Sequence, residues 1–287
     1  MNVNDTADSV DFSNWIGRSE QADDVATVAP VRALAATLDH PTDIDNGAAV
    51  PPLWHWLYFL PRALTSELAE DGHPHKGGFL PPIPKPRRMW AGSQLEFHAP
   101  LRIGAKLQRT STVADVALKE GRSGSMFFVK VRHETLSDGL LAVVEHQDIV
   151  YRDPAPVSSV GPAPRAQPAE FPSWARSVQP SAALLFRYSA LTFNSHRIHY
   201  DRPYATEAEG YAGLVVHGPL LATLMLDLIR RELPTSRVRQ FSFKAQKPVL
   251  DTSSFQVCGR LTVEKTVSLW ITDADGTRAT VGTALLE

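Results

Sequence analysis

The sequence predicts an α+β protein made of two copies of one unit, each a curved antiparallel sheet wrapped around a helix. Three observations point there. Between Leu95 and Tyr151, runs rich in β-branched and aromatic residues are separated by the hairpin signals Gly121-Arg122-Ser123-Gly124 and Ser137-Asp138-Gly139. The plan then recurs: Phe97-His98-Ala99, a proline and a long strand ending at Lys119 are matched by Phe243-Lys244-Ala245, Pro248 and a strand ending near Lys265. Asp138-Gly139 likewise matches Asp275-Gly276 before the last strand of the second copy. Finally, Leu220 to Ile229 contains one charge, Asp227, and its apolar residues lie nearly all round a helix, which must therefore be buried.

The elements follow in order. A mobile amino terminus is expected to give way near Trp15. Val31 to Leu38 has apolar residues spaced for one helical face. Leu53 to Leu68, with Trp54, Trp56, Leu57, Phe59, Leu60, Leu64 and Leu68 behind Pro51 and Pro52, is the better candidate for the first copy's central helix. Gly72 to Pro86 (GHPHKGGFLPPIPKP) cannot be regular, and a loop of that length in a compact domain is more often functional than idle. Strands are expected at Leu95–Ala99, Leu107–Leu118, Ser125–Leu136 and Leu140–Tyr151. Six prolines between Asp153 and Pro172, with no hydrophobic period, read as an extended linker (154–172) between an amino-terminal half (1–153) and a carboxy-terminal half (173–287).

Composition excludes several classes. The 287 residues, 43% of them hydrophobic, suffice for real cores, and a net charge of −2 leaves no footprint for nucleic acid or an anionic membrane. No apolar run approaches a bilayer span. The first residues are acidic and polar where a signal peptide would be basic and then apolar, so a soluble cytoplasmic protein is expected. The single cysteine, Cys258, excludes an internal disulfide and reads as a small buried strand residue.

Chemistry concentrates in FNSHRIHYD, Phe193 to Asp201, expected to follow an apolar strand. After a short loop comes GLVVHGPLLATLMLDLIR, Gly213 to Arg230. Pro219 suits a first helical position, and Gly218 before it lets a ligand approach the backbone. The helix would aim its positive dipole end and unpaired N–H groups at His217 and Gly218, where a developing negative charge on oxygen would be stabilised.

The pairing of N-x-H-x-I-H-x-D with a buried helix opening in His-Gly resembles the hotdog-fold hydratases and dehydratases of the MaoC, or type 2 enoyl-CoA hydratase, group. Within it, the resemblance is to the branch of mitochondrial type 2 hydroxyacyl-thioester dehydratase and 3-methylfumaryl-CoA hydratase. PRRMWAGSQLEF, Pro86 to Phe97, and EHQDIVYRD, Glu145 to Asp153, extend it over most of the chain. The resemblance implies a double hotdog whose two sheets join back to back. It also implies addition of water to the double bond of an enoyl thioester, or the reverse elimination. No cofactor is implied, because coenzyme A arrives as part of the substrate. The first half has no His-Gly before its helix and no N-x-H-x-I-H, so its expected role is to close the site.

Such a reaction needs a base for water, an acid for the carbon next to the thioester, and donors for an enolate-like oxygen. The resemblance casts His199 as the proton-transfer group and the Gly218 N–H as the oxyanion donor, with His217 beside the substrate. Asn194 stands where many relatives carry a catalytic aspartate; an amide cannot accept a proton, so Asn194 is expected to hold the water while His199 transfers the proton. Asp201 is read either as orienting His199 or as structural. Arg197 is read either as contacting a second carboxylate on the acyl chain, as in 3-methylfumaryl or itaconyl thioesters, or as pairing with Asp201 or Glu207. Arg88 and Trp90, with Arg87 and Met89, are candidates for the pocket wall from across the junction, and Lys244 and Lys247 for the phosphates of coenzyme A at the cleft mouth. A metal site is not expected, because no ligands beyond His196 and His199 stand at a recognisable spacing.

Three other readings stay open: a dehydratase acting on fatty acyl-CoA or acyl-carrier-protein, a thioesterase, and a noncatalytic acyl-thioester binding protein. Against the thioesterase, Asp227 sits too far along its helix to meet Gly218. A monomer of two halves and a homodimer of such monomers are both compatible with the duplication.

Overall fold

The computed structural model describes residues 11–121, 124–153, 171–262 and 265–287. The expected mobile terminus falls largely outside these residues, as do nearly all of the 154–172 linker and the tip of the first hairpin. Five strands precede the linker: β1 (Ser19–Val25), β2 (Arg87–Phe97), β3 (Lys106–Gly121), β4 (Gly124–Ser137) and β5 (Leu140–Arg152). Five follow it: β6 (Trp174–Val178), β7 (Val238–Ala245), β8 (Phe255–Leu261), β9 (Thr266–Thr272) and β10 (Arg278–Leu286). The helices are α1 (Val28–Thr37), α2 (Ala182–Thr192) and α3 (Gly218–Glu232). Among the described residues no helix is long and apolar enough to cross a membrane.

All ten strands form one antiparallel sheet in the order β1-β3-β4-β5-β2-β7-β10-β9-β8-β6. The halves therefore meet edge to edge, not back to back: β2 pairs with β7 from Gly92↔Lys244 to Glu96↔Gln240. Gly92 makes that seam possible, since a Cβ there would lie 2.3 Å from the Phe243 carbonyl oxygen. Pairing the two edges satisfies ladder groups that each half alone would leave open. Two edge strands, β1 and β6, escape sequence reading because both are short and mostly exposed on alternating positions.

The hairpin at Ser137-Asp138-Gly139 forms as its residues predict, with Asp138 and Gly139 both at positive φ. The helix expected over Leu53–Leu68 does not form. Only single turns appear, at Trp54–Leu57 and Thr65–Glu67. Leu53 (φ 70) and Phe59 (φ 55) adopt left-handed backbone, and Pro61 disfavours helical geometry at Leu60. Its aromatic residues are buried by tertiary packing instead, and α1, overlapping the stretch expected at Val31–Leu38, is the first half's helix. The segment before Phe193 is a helix, not a strand. Ser181 caps it by accepting the Leu184 N–H at 3.2 Å, and Leu185, Tyr188 and Ser189 turn to the core with helical spacing.

In α3, every residue from Leu220 to Ile229 is buried. It lies on the sheet face that carries Phe241, Phe243, Val257 and Leu269, in one continuous core with α1 and α2. Asp227, buried on this helix, is neutralised by Arg176 at 2.9 Å, Arg231 at 2.8 Å and His40. It is about 13 Å along the helix from Gly218, and its ties to the end of α1 and to β6 make it structural. A second cluster beneath β3–β5 is closed by Phe12 and by Phe79, Leu80 and Ile83 of the long loop. Cys258 is buried in β8.

Candidate active site

The site forms where the long loop of the first half meets the amino terminus of α3. Phe193 ends α2 in left-handed conformation (φ 49), turning the chain so that the Asn194 N–H reaches the Ser189 carbonyl at 2.9 Å. Asn194 Oδ1 then accepts the His196 N–H at 3.0 Å, an Asx turn leading into the turn Arg197–His199. The Val215 N–H bonds to the Ile198 carbonyl and brings His-Gly at the start of α3 beside it.

His199 is buried, and its Nδ1 lies 2.7 Å from the Val215 carbonyl oxygen. A carbonyl can only accept, so Nδ1 carries the proton and Nε2 keeps its lone pair. Burial lowers the imidazole to about 4, against the opposing Val215 bond, so His199 is neutral and ready to act as a base at pH 7. The Gly218 N–H opens α3, and nothing among the described residues accepts it. The Trp90 carbonyl oxygen faces Gly218, 3.7 Å from where a Cβ would stand.

The first half supplies more than a lid. Residues 70–73 are bolted to the histidine segment: Arg197 donates its backbone N–H to Asp71 O (2.9 Å) and its side chain to Glu70 O (3.0 Å), and Ser195 Oγ donates to Gly72 O (2.5 Å). Gly72 has φ 86, and a Cβ there would lie 1.9 Å from the Ser195 carbonyl oxygen. This contact sets His73 against His196, ring centres 4.1 Å apart. His196 stands 5.4 Å from His199 at 86°, and His199 stacks on His217 at 3.8 Å and 19°. Four imidazoles thus run from the loop into the core.

Asp71 accepts both His73 Nδ1–H and His73 N–H at 2.9 Å, and these bonds hold its carboxyl well below the usual range although burial pushes it upward. Asp71, His73 and His196 place one carboxylate and two imidazole donor atoms within 4.8 Å of one another. That composition could hold a cation, but Asp71 is already bonded to His73, and the charges of Arg88 and Lys76, which depress His73 further after burial, oppose one. His196 is lowered to about 2, by burial first and then by the neighbouring charges of His73 and His199.

The remaining candidates separate. Arg197 is engaged: it pairs with Asp201 at 2.7 Å and lies 4.1 Å over the Tyr204 ring, the pairing that the structural reading expects. Asp201 bonds to Arg197 and to the Tyr204 N–H, while the group orienting His199 is the Val215 carbonyl. His217 is fully buried behind His199, with Nε2 2.8 Å from Ser189 Oγ, and supports the base without reaching substrate. Lys244 alternates with inward Phe243 and so points to the opposite face of the sheet, into a groove of about 550 Å³ shared with Lys119 and Lys130. Lys244 thus faces away from the helix-covered side of the sheet, and Lys247 is engaged by Asp273.

Trp90 and Arg88 do border it. Trp90 packs on Trp56, ring centres 5.0 Å apart, and its Nε1 donates to Ser93 Oγ, which donates in turn to buried Glu145 at 2.7 Å; Trp56 Nε1 also donates to Glu145. Arg87 pairs with Glu209 at 3.0 Å, whereas half-buried Arg88 forms no ion pair among the described residues. Arg88 stands opposite Tyr151 in the β2–β5 register, and its charge acts on Tyr151, His73 and His196. Sequence reading missed Asp71, His73 and the catalytic-side position of His196. The available signal was two histidines in a glycine- and proline-rich loop.

Because the buried histidines are held neutral, stability depends on pH in a definite direction. Their folded values lie below the ordinary 6.5, so the unfolded chain binds more protons below that pH. This stability is complete above about 6.5 and is lost as pH falls toward the folded values, with a slope of about 1.4 kcal/mol per unit for each histidine that titrates only when unfolded. The melting temperature is expected to be level from pH 7 to 8.5 and to drop by on the order of 5 °C or more between pH 6.5 and 5. A scanning-calorimetry series that stays level to pH 5 would contradict the buried, neutral array.

A ten-stranded double-hotdog sheet, with a neutral histidine stacked on the residue that precedes an unpartnered helix terminus, is the arrangement of a hydro-lyase of the MaoC-like kind. The model of the family described as hydroxyacyl-thioester dehydratase type 2 matches residues 53–251, and the chain belongs to that family. It is 49% identical over 258 residues to mesaconyl-C(4)-CoA hydratase of Chloroflexus aurantiacus, covering 88% of this chain and 90% of that one. In fold it is similar to a MaoC-like dehydratase from Phytophthora capsici (TM-score 0.72, 13% identity, 97% and 99% of the two chains). It is also similar to a Mycobacterium tuberculosis protein with a double hotdog fold (TM-score 0.57, 15% identity, 98% of each).

Proposed function

We propose that this chain hydrates the double bond of a short branched dicarboxylic enoyl-CoA, with the 3-methylfumaryl (mesaconyl-C4) thioester as substrate. The observation that carries the reading is Arg88, a half-buried guanidinium with no carboxylate partner beside the histidine array. In a mesaconyl-C4 thioester the free carboxylate is borne by the carbon that water attacks. Its receptor must therefore stand near the water site; Arg88, whose charge acts on His73 and His196, is our candidate, and a guanidinium fork suits it. The likeness to mesaconyl-C(4)-CoA hydratase supports the same substrate.

In this mechanism His199 Nε2 takes a proton from water as the water oxygen bonds to the β-carbon. The alkene electron pair moves onto the thioester oxygen, where the Gly218 N–H and the α3 dipole stabilise it. The enolate then collapses, and the α-carbon takes the proton back from His199, leaving the enzyme unchanged. No cofactor takes part.

The test is turnover of mesaconyl-C4-CoA, itaconyl-CoA and crotonyl-CoA, following loss of the enoyl thioester and assaying free thiol. Mesaconyl-C4-CoA is expected to exceed crotonyl-CoA by about 100-fold in kcat/KM, a difference of about 2.7 kcal/mol. Equal or better use of crotonyl-CoA would place the enzyme among general hydroxyacyl-thioester dehydratases, and release of thiol would make it a thioesterase.

A further inference from the structure

A water molecule attacks best when both its hydrogens are accepted and its lone pair is left for carbon. His199 Nε2 provides one acceptor. Asn194 is a weaker choice for the second: its Oδ1 already accepts the His196 N–H at 3.0 Å, which leaves it one lone pair, and its Nδ2 only donates. Asp201 is held by Arg197 and Tyr204, and His217 lies behind His199.

We infer that His196 is the second acceptor for the attacking water, positioned by the Asp71–His73 pair of the amino-terminal half. The His196 and His199 rings, centres 5.4 Å apart and nearly perpendicular, are close enough for one water at their edges to bridge a nitrogen of each at about 2.8 Å. Neither ring nitrogen of His196 has a hydrogen-bond partner among the described residues, although the ring is partly buried. Its far side packs on His73, whose Nδ1–H is spent on Asp71. The Asp71 carboxylate, within 4.8 Å of donor atoms on both rings, favours polarisation of the water toward His196. His196 accepts a hydrogen bond without removing the proton, so the proton balance through His199 is unchanged. His196 is thus a catalytic residue, and His73 and Asp71 are positioning residues reached across the half-to-half junction. This inference rests on the hydration reading above.

The experiment compares wild type with His196→Ala, His196→Gln and Asp71→Asn on whichever of the three enoyl-CoA esters the wild-type enzyme turns over. His196→Ala is expected to lower kcat about 100-fold with KM changed less than about threefold. His196→Gln, which restores an acceptor oxygen, is expected to recover about tenfold of that loss. Asp71→Asn, which lies outside the histidine segment, is expected to lower kcat about tenfold at unchanged KM. The inference is overturned if His196→Ala or Asp71→Asn keeps kcat within threefold of wild type, or if His196→Gln is no faster than His196→Ala. Should His196→Ala not fold, His196→Gln and Asp71→Asn decide alone by the same threefold limit on kcat. Wild-type failure on all three esters would instead overturn the hydration reading and this inference with it.

Discussion

Replacing His199 with alanine is expected to lower kcat by about 10³-fold on any thioester the enzyme hydrates, with KM changed only a few-fold. The alanine leaves the Gly218 donor and the pocket walls in place but removes the imidazole whose Nδ1–H is fixed by Val215 and whose Nε2 is left as a base. His199→Gln separates holding from proton transfer. Its amide can donate to the Val215 carbonyl as Nδ1–H does now, yet it cannot take a proton. The glutamine variant is therefore expected to fold like wild type and remain about as slow as alanine. The wild-type kcat/KM should rise with pH through about 4 and be level at neutrality, because burial lowers His199 to that value and only the neutral ring is a base. That rise should vanish in both variants. Initial rates from pH 3.5 upward, taken before the acid-exposed enzyme unfolds, check this, and a His199→Gln enzyme within tenfold of wild type would remove His199 from the chemistry.

Arg88→Gln is expected to lower kcat/KM for mesaconyl-C4-CoA by about 100-fold while changing crotonyl-CoA by less than about threefold. A charge-assisted bond to a partly buried guanidinium contributes about 1.5–3 kcal/mol, and crotonyl-CoA has no carboxylate to lose it. Arg88→Lys should fall between, keeping the charge but not the fork. Arg197→Gln is expected to fail differently. Its guanidinium bonds to Asp201, Tyr204 and the Glu70 carbonyl, so the variant should loosen the contact between loop and histidine segment and slow both substrates alike. Measuring both substrates on both variants distinguishes the readings: equal losses for Arg88→Gln would show that it does not read the carboxylate.

Sequence by itself determined the long hairpin strands of the first half, the duplicated plan, the buried α3 and the His-Gly that opens it. Those features are local: alternation, turn residues and an uncharged helical run constrain the backbone wherever they occur. It also singled out the segment containing His199. It misjudged Leu53–Leu68, where Pro61 and two left-handed residues override an aromatic-rich helical pattern, and the stretch before Phe193, where apolar residues suited strand or helix equally. Only tertiary structure decided which charged groups are free. Arg88 and Arg197 are indistinguishable as residue types, but Asp201 occupies one and no carboxylate among the described residues pairs with the other. Lys244 was turned away by the two-residue period of β7 once the helix-covered face was known. The long loop around His73 reaches the site only through contacts spanning 123 residues, such as Ser195 to Gly72. No spacing rule records such contacts, because their cause is the meeting of β2 and β7 edges, which brings two distant stretches of chain to one helix terminus.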